Sequence, residues 1–280
     1  MSETLLDDRG VARVEGPDAA IFLQGLLTND VEKLPPGQSR YAALLSPQGK
    51  ILFDFLVFRR TEDTFLLDAP ADRIGDLVKR LGLYKLRAKL AVSDESALLA
   101  VVVAPEGEPR DPRAPALGRR DIVAREAAPP PDAAARAAYE QKRIALGLPS
   151  GGVDFPYGDA FPHDANMDLV NGVDFAKGCY IGQEVVSRMR HRGGARKRIL
   201  RVRLDGPAPA PGAPVLDGQL PVGTLGASAG GEALALLRLD RVEDARLAGR
   251  PLNVGGVAVT VLELPTVGSD FARDDATAAV

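Results

Sequence analysis

From Ile199 onward the chain loses helical periodicity. Short apolar runs at Ile199 to Leu204, Gly223 to Ala227, Ala233 to Leu239 and Val257 to Leu264 alternate with turns rich in Pro and Gly. Strands this short cannot bury their apolar sides singly, and a stretch of about 65 residues of them reads as a small β-barrel or sandwich. Upstream, strand and helix patterns alternate instead. The change divides the 280 residues into an α+β region over 1–195, a barrel over 196–265, and a polar, Ala-rich tail over 266–280 that is expected to be disordered. Two units agree with a prior of ~150 residues per domain.

Within the first region, Gly10 to Val14 reads as a strand. Pro17 suits a first helical position, where a missing N–H costs nothing. Ala20, Phe22, Leu23, Leu26 and Leu27 give that helix an apolar side as far as Thr28-Asn29-Asp30. Ser39 to Leu45 and Ile51 to Phe58 flank Pro47-Gln48-Gly49-Lys50 and read as a β-hairpin, with Thr64 to Asp68 as a further strand. A helix from Pro70 presents Ile74, Leu77, Val78 and Leu81 on one face, with Gly82 as its stop. Lys85 to Val92 alternates charged and apolar residues like a half-exposed strand, and Leu117 to Ala124 is another strand. Asp132 to Leu146 reads as an Ala-rich helix capped by Asp132 and ended by Gly147. Residues 148–175 are rich in Gly, Pro, Asp and aromatics without periodicity, and so long an irregular stretch is usually functional.

Composition narrows the function classes. At 45% hydrophobic and 26% charged residues, whole-chain disorder is excluded. A net charge of −3 gives no global attraction to nucleic acid. Apolar runs such as Ala97 to Ala104 fall far short of the ~20 residues that span a bilayer. The N-terminus lacks the basic start and apolar core of a signal peptide. These features lead to the expectation of a cytoplasmic protein without membrane or direct nucleic-acid partners; a monomer is expected beside them. Cys179, His163 and His191 are the whole supply of Cys and His, so neither an internal disulfide nor a Cys/His zinc centre can form.

The sharpest local feature is Lys177-Gly178-Cys179-Tyr180-Ile181-Gly182-Gln183-Glu184. Glu184 to Met189 reads as a short helix, which places Cys179 near a helix start and two residues from Lys177, both of which favour a thiolate. A buried structural cysteine in a tight turn is the plainer alternative. A Cys–His hydrolase using His163 or His191 lacks any recognisable oxyanion-hole loop. Six Lys and Arg fall in the eleven positions from Arg188 to Arg198, either a solvated linker or a cradle for an anion. Asp54 interrupts an apolar strand and by alternation shares a face with Leu52 and Leu56; it is either paired in the core or lines a polar cavity. Arg143 is unusual only where its helix face points inward.

The eight-residue Cys block resembles the signature of the YgfZ folate-binding proteins, bacterial relatives of a mitochondrial iron–sulfur assembly factor and kin of the glycine cleavage T-protein. Other blocks fit in order: Phe22 to Val31, Gln48-Gly49-Lys50, Asp111-Pro112-Arg113, Arg143-Ile144, Phe161-Pro162, Met167-Asp168-Leu169, Arg192-Gly193 and Lys197-Arg198. The likeness covers about residues 5 to 265. It implies an α+β, T-protein-like ring of two lobes with a small C-terminal β-barrel around a folate channel. It further implies a tetrahydrofolate-binding accessory protein for iron–sulfur cluster assembly or repair, indirectly serving tRNA modification. Its partners would be a reduced folate and iron–sulfur assembly proteins or client enzymes. On this basis Cys179 and Asp54 are the candidate catalytic residues. Asn29, Asp54, Arg143, Lys177, Tyr180, Gly182, Gln183, Glu184 and Arg188 are the candidate cofactor contacts. Asp54 and Glu184 are the acids available to a pterin edge, and Arg143 and Arg188 suit a glutamate tail. Where the T-protein carries an acidic pair this chain reads Phe53-Asp54, and the T-protein's Tyr-Thr-Gly-Glu stretch has no match before residue 177. A folate-dependent aminomethyltransferase is the alternative function.

Overall fold

Residues 39–45 and 51–59 are apolar at nearly every position, and a strand of that kind needs cover on both faces. The computed structural model, which describes residues 2–191 and 195–262, supplies that cover. The N-terminal elements are β1 (Thr4–Leu5), β2 (Arg9–Glu15), α1 (Ala19–Gln24), β3 (Ser39–Leu45), β4 (Ile51–Arg59), β5 (Thr64–Pro70), α2 (Ile74–Lys85) and β6 (Ala91–Asp94). They are followed by β7 (Leu99–Ala104), β8 (Arg119–Ala124), α3 (Ala133–Ala145) and α4 (Gln183–His191). The C-terminal elements are β9 (Lys197–Leu204), β10 (Pro214–Asp217), β11 (Leu220–Ala229), β12 (Glu232–Arg238), α5 (Leu239–Leu247), β13 (Leu252–Val254) and β14 (Val257–Val261).

Five strands form an antiparallel sheet in the order β3-β4-β5-β2-β6. One face carries Ala42, Leu44, Phe55 and Val57 against Leu23 of α1 and Leu77 and Leu81 of α2. The other face, with Tyr41, Leu56 and Phe58, enters a central core. There it meets Val101 and Ile122 of the small sheet β1-β7-β8, Tyr139 of α3, Phe155 and Met167 of the irregular segment, and Ile199 and Leu236 of the barrel. The barrel closes in the order β10-β11-β12-β9-β14-β13, with β13 pairing back to β10, around Val202, Val215, Ala235 and Val254. The expected α+β class with a C-terminal β-barrel is therefore what the chain adopts. Asp132 caps α3 as expected, accepting from the Ala134 and Ala135 amides at 2.9 and 3.0 Å.

Several local expectations need correction. The β3–β4 register shifts between Leu44 and Leu45, and the extra residue, Leu52, bulges away from the ladder. Leu52 consequently packs on the helix side while Leu56 faces the central core, so the expected common face of Leu52, Asp54 and Leu56 is broken. Gly82 does not stop α2, because Leu81 and the partly buried Tyr84 continue the apolar stripe and the helix runs to Lys85. Of the expected Lys85–Val92 strand only Ala91 and Val92 are extended, in a strand that runs on to Asp94. Helix α1 ends at Gln24, short of Thr28, because Leu27 leaves the helical line to bridge Leu44. Helix α5 has only a narrow stripe of Leu239, Val242 and Ala245 toward the barrel, too thin a signal to stand out from the strands around it. The expected disordered tail, and the Arg192-Gly193 pair, lie outside the described residues.

Between the five-stranded sheet and the β8–α3 layer lies a buried ionic chain. Asp68 is fully buried, and it accepts from Arg9 Nε at 2.6 Å and Arg120 Nε at 2.7 Å. Arg120 continues to the Tyr139 hydroxyl at 2.7 Å, and Arg113 meets the same hydroxyl at 3.2 Å while holding Asp111 bidentately at 3.0 and 2.8 Å. Burial would raise the Asp68 carboxyl, but the Arg120 and Arg9 guanidiniums outweigh it and hold the carboxyl below its ordinary value. Removing one partner from such a cluster strands the others, a loss of about 3–5 kcal/mol. Asp68→Asn is accordingly expected to lower the urea midpoint sharply at neutral pH. Because the native carboxyl is depressed, its contribution is present above the unfolded value of about 3.9 and is lost as pH falls below it. Wild type should therefore lose stability more steeply than Asp68→Asn below about pH 4; parallel curves would show the pair carries no such load.

Candidate functional site

The irregular segment cannot satisfy its own backbone with a ladder, so side chains and left-handed turns shape it. Asn166 and Asn171 both sit at φ 56°, a region asparagine tolerates. Asn166 is fully buried and donates to the Ile199 carbonyl at 2.7 Å, which fastens the segment to the barrel. The segment thereby forms one wall of a cleft of about 830 Å³. Asn29 and Arg40 form part of the opposing wall, while Arg190 of α4 and Arg198 of β9 enter from the barrel side.

The polar groups of the cleft are held in place. Arg198 grips Asp168 bidentately, with both contacts at 2.8 Å, and donates to the His163 carbonyl at 3.1 Å. Asn29 donates to the Tyr41 and Asn171 carbonyls at 2.8 and 2.6 Å, and its oxygen accepts from Arg40 at 3.3 Å. Arg190 stacks over Phe175 with 4.1 Å between guanidinium carbon and ring centroid. Among the described residues, neither Arg40 nor Arg190 forms an ion pair. His163 is buried beside Phe175 with its Nδ1 unpartnered; burial pushes its imidazole below the ordinary value, so it is neutral at pH 7.

Behind the cleft lies the Cys block. Lys177 is buried and aims its ammonium at three carbonyls, Gln24 at 2.7 Å, Leu27 at 2.6 Å and Asn29 at 3.1 Å. Burial lowers its pKa to about 8 although Asp30 and Asp174 oppose the shift. Its donors are thus given to the end of α1 and the loop that leads to Asn29. Tyr180 packs its ring 5.0 Å from that ammonium, and burial raises its hydroxyl to about 12. Cys179 is exposed, four residues before α4 begins. Gln183 opens α4, and Glu184 and Arg188 project from it as exposed residues.

Asp54 and Arg143 lie elsewhere. Asp54 is buried, and its two oxygens accept from Tyr41 Oη at 2.8 Å and from Tyr157 Oη in a shorter bond. Burial, followed by the Asp54 charge, raises both tyrosine hydroxyls, which therefore stay protonated as donors. Arg143 is buried between Asp154 at 2.8 Å and Glu140 at 2.9 Å. Both line a separate small cavity of about 30 Å³, large enough for roughly a single water. Of the candidate cofactor contacts, Asn29 alone lines the large cleft. Arg40, Asp174 and Phe175 line it without having been picked out from the sequence. Their signal was weak: a charged residue at the start of a strand, and an Asp-Phe pair in a stretch without period.

Gly182 is a packing residue as well as a motif residue. At φ 84°, a Cβ there would lie 2.6 Å from the Ser46 carbonyl oxygen, so the Cys block rests directly on the β3–β4 turn. A Cβ at Gly178 would meet nothing within 4 Å. Gly182→Ala should therefore cost about 1–3 kcal/mol, against a near-neutral Gly178→Ala. Thermal melts of the two variants check this, and equal losses would refute the packing account.

Residues 7–102 match the GCVT N-terminal domain, and residues 196–266 match the CAF17 C-terminal beta-barrel domain. The chain is 36% identical over 279 residues to the mitochondrial iron–sulfur cluster assembly factor IBA57 of Mus musculus, covering 85% of this chain and 78% of that one. To the Homo sapiens protein of the same name it is 35% identical with the same two coverages. The Neurospora crassa homolog is 34% identical, but there this chain spans 52% of the relative. Among solved structures, the glycine cleavage system aminomethyltransferase T from Bartonella henselae superposes with a TM-score of 0.70 at 20% identity, covering 94% of this chain and 85% of that one; this shows a shared fold. The named relatives are mitochondrial, which overturns the cytoplasmic expectation; the N-terminal features behind it bear on secretion and are silent on other routes. Sequence and fold together place the chain in the IBA57 family of iron–sulfur cluster assembly factors, built on a GcvT-like fold with a CAF17-type barrel.

Proposed function

We propose that this protein supports iron–sulfur cluster assembly as a tetrahydrofolate-binding accessory factor, with the folate in the large cleft and Cys179 as the thiol presented to assembly proteins or clients. Those clients include, in the finer YgfZ-like reading, enzymes that modify tRNA. The observation that carries the folate half is the cleft itself. It offers about 830 Å³ lined by carboxylates, an aromatic ring and the unneutralised Arg40 and Arg190. A folate joins a pterin edge rich in N–H donors to an aromatic spacer and a carboxylate tail. Asp174 suits the edge: one oxygen accepts the Ala176 and Lys177 amides at 2.7 and 3.1 Å, and the other is uncommitted among the described residues. Arg40 and Arg190 suit the tail, since arginine pairs carboxylates in a planar fork. A bound reduced folate would supply a carrier for one-carbon groups.

The transferase alternative needs a catalytic carboxylate. Asp54 is a poor candidate for that role, with both oxygens taken by tyrosine hydroxyls away from the cleft. For the cluster-related half, membership of the IBA57 family is the support, and exposed Cys179 is the group suited to it. One thiol cannot hold a cluster alone. No group of three or more His, Cys, Asp or Glu suited to a metal occurs among the described residues, so further ligands would come from a partner. No described helix is long and apolar enough to cross a membrane.

Tetrahydrofolate should raise the melting temperature, with about 2.7 kcal/mol of stabilisation at a hundredfold excess over Kd. Arg40→Ala and Asp174→Asn should weaken the shift roughly tenfold in apparent Kd, whereas Asp54→Asn should change stability and leave Kd alone. An unchanged melt at millimolar folate would remove the folate half of the proposal. Cys179 should react fully with a maleimide in the folded protein, and Cys179→Ala should keep stability within about 0.5 kcal/mol, because an exposed side chain gives up few contacts. The same variant should fail to restore iron–sulfur enzyme activity in cells lacking the protein. Restoration to the wild-type level would assign the thiol no role.

A further inference from the structure

Helix α2 has a second face that the fold does not use. Its inner side buries Ile74, Leu77 and Leu81, while Asp76, Lys79, Arg80 and Leu83 form one wall of a groove of about 410 Å³ floored by Phe53 and Tyr157. Arg73 is wedged in the floor, its guanidinium carbon 5.0 and 5.1 Å from the two ring centroids, with its Nε buried and unpartnered. Elsewhere the arginines are mostly paired with carboxylates, among them Arg113, Arg136, Arg198 and Arg250. Lys79 and Arg80 are exposed and form no ion pair among the described residues, and the same holds for Arg87 and Lys89 just beyond; the half-buried Lys85 is likewise without an ion pair there. Between Pro70 and Lys89 six basic residues face two acidic ones, in a chain whose net charge is −3. Beside this cluster Leu83 is 65% and Leu86 88% exposed.

We propose that this groove docks an acidic, leucine-bearing helical segment of a partner protein. Exposed leucines beside an aromatic floor provide the apolar centre such an interface needs, and the surrounding cations provide the charged rim that steers a carboxylate-rich chain. A nucleic acid fits less well. Its bases would need free aromatic faces, and both floor rings are already occupied by Arg73. Asp76, 3.9 Å from Arg73, would also stand among the phosphates. The surface is separate from the cleft and the Cys block, so the proposal stands independently of the folate reading.

The test is fluorescence anisotropy of the full chain at low ionic strength with three labelled probes. These are a short amphipathic peptide of leucines at helical spacing with glutamates between them, its glutamine counterpart, and an oligothymidylate. The glutamate peptide should bind, and the glutamine peptide should bind roughly tenfold more weakly or worse. Lys79→Glu with Arg80→Glu should weaken the glutamate peptide by a similar factor, and so should Leu83→Ser, because the contact needs both charge and apolar surface. All these positions are exposed, so the variants should melt with wild type. Overturning results are no binding of the glutamate peptide, binding indifferent to Leu83→Ser, or tighter binding of the oligothymidylate.

Discussion

One fully buried carboxylate joins the layers of this protein. Asp68 lies at a β2–β5 contact and reaches Arg9 on its own sheet and Arg120 on the small sheet opposite, so the two sheets meet through charge as well as through apolar packing. The Asp111–Arg113 pair and Tyr139 extend that contact toward α3. Apolar residues alone would let the layers slide over each other with little penalty. A buried ionic chain permits one registry, because any other would strand a charge away from water. The cleft depends on that registry, since its opposing walls are carried by the hairpin layer and by the segment anchored to the barrel.

The polar interior is divided between two jobs. Around Asp54, Arg143 and Asp154 every strong donor meets an acceptor within the protein, and the space left is about that of one water. Around Arg40, Arg190 and Asp174 the pairing is incomplete and the space is far larger. A self-satisfied cluster stabilises a fold, whereas an incompletely paired one can exchange water for a ligand. Residue type alone does not separate the two, as both sets are built from aspartates and arginines.

Much of the architecture could be read from the chain. The β3–β4 hairpin, the capped α3 and the change of pattern near Ile199 rest on local signals: two apolar runs around the Pro47-Gln48-Gly49-Lys50 turn, Asp132 at a helix start, and Pro/Gly spacing. What could not be read depended on contacts distant in sequence. Gly82 looked like a stop, yet the stripe through Leu81 and Tyr84 carries the helix past it. The bulge at Leu52 has no local signature and still decides which way its neighbours face. The cleft residues Arg40 and Asp174 come from segments more than a hundred residues apart, so no spacing could announce them. The Cys block was legible because its glycines, lysine and aromatic residue fall within eight positions.

The lysine of that block sets the terms on which the thiol loop is attached. A single ammonium with three donors holds the carbonyls of Gln24, Leu27 and Asn29, and Asn29 in turn is a wall of the cleft. The loop bearing Cys179 and the surface facing the cleft therefore share one fastener and cannot shift independently. Arginine, usually the gentlest replacement for lysine, would serve badly here. Its planar fork splays its donors outward, while these three acceptors converge on a point that only a compact, tetrahedral cation fills.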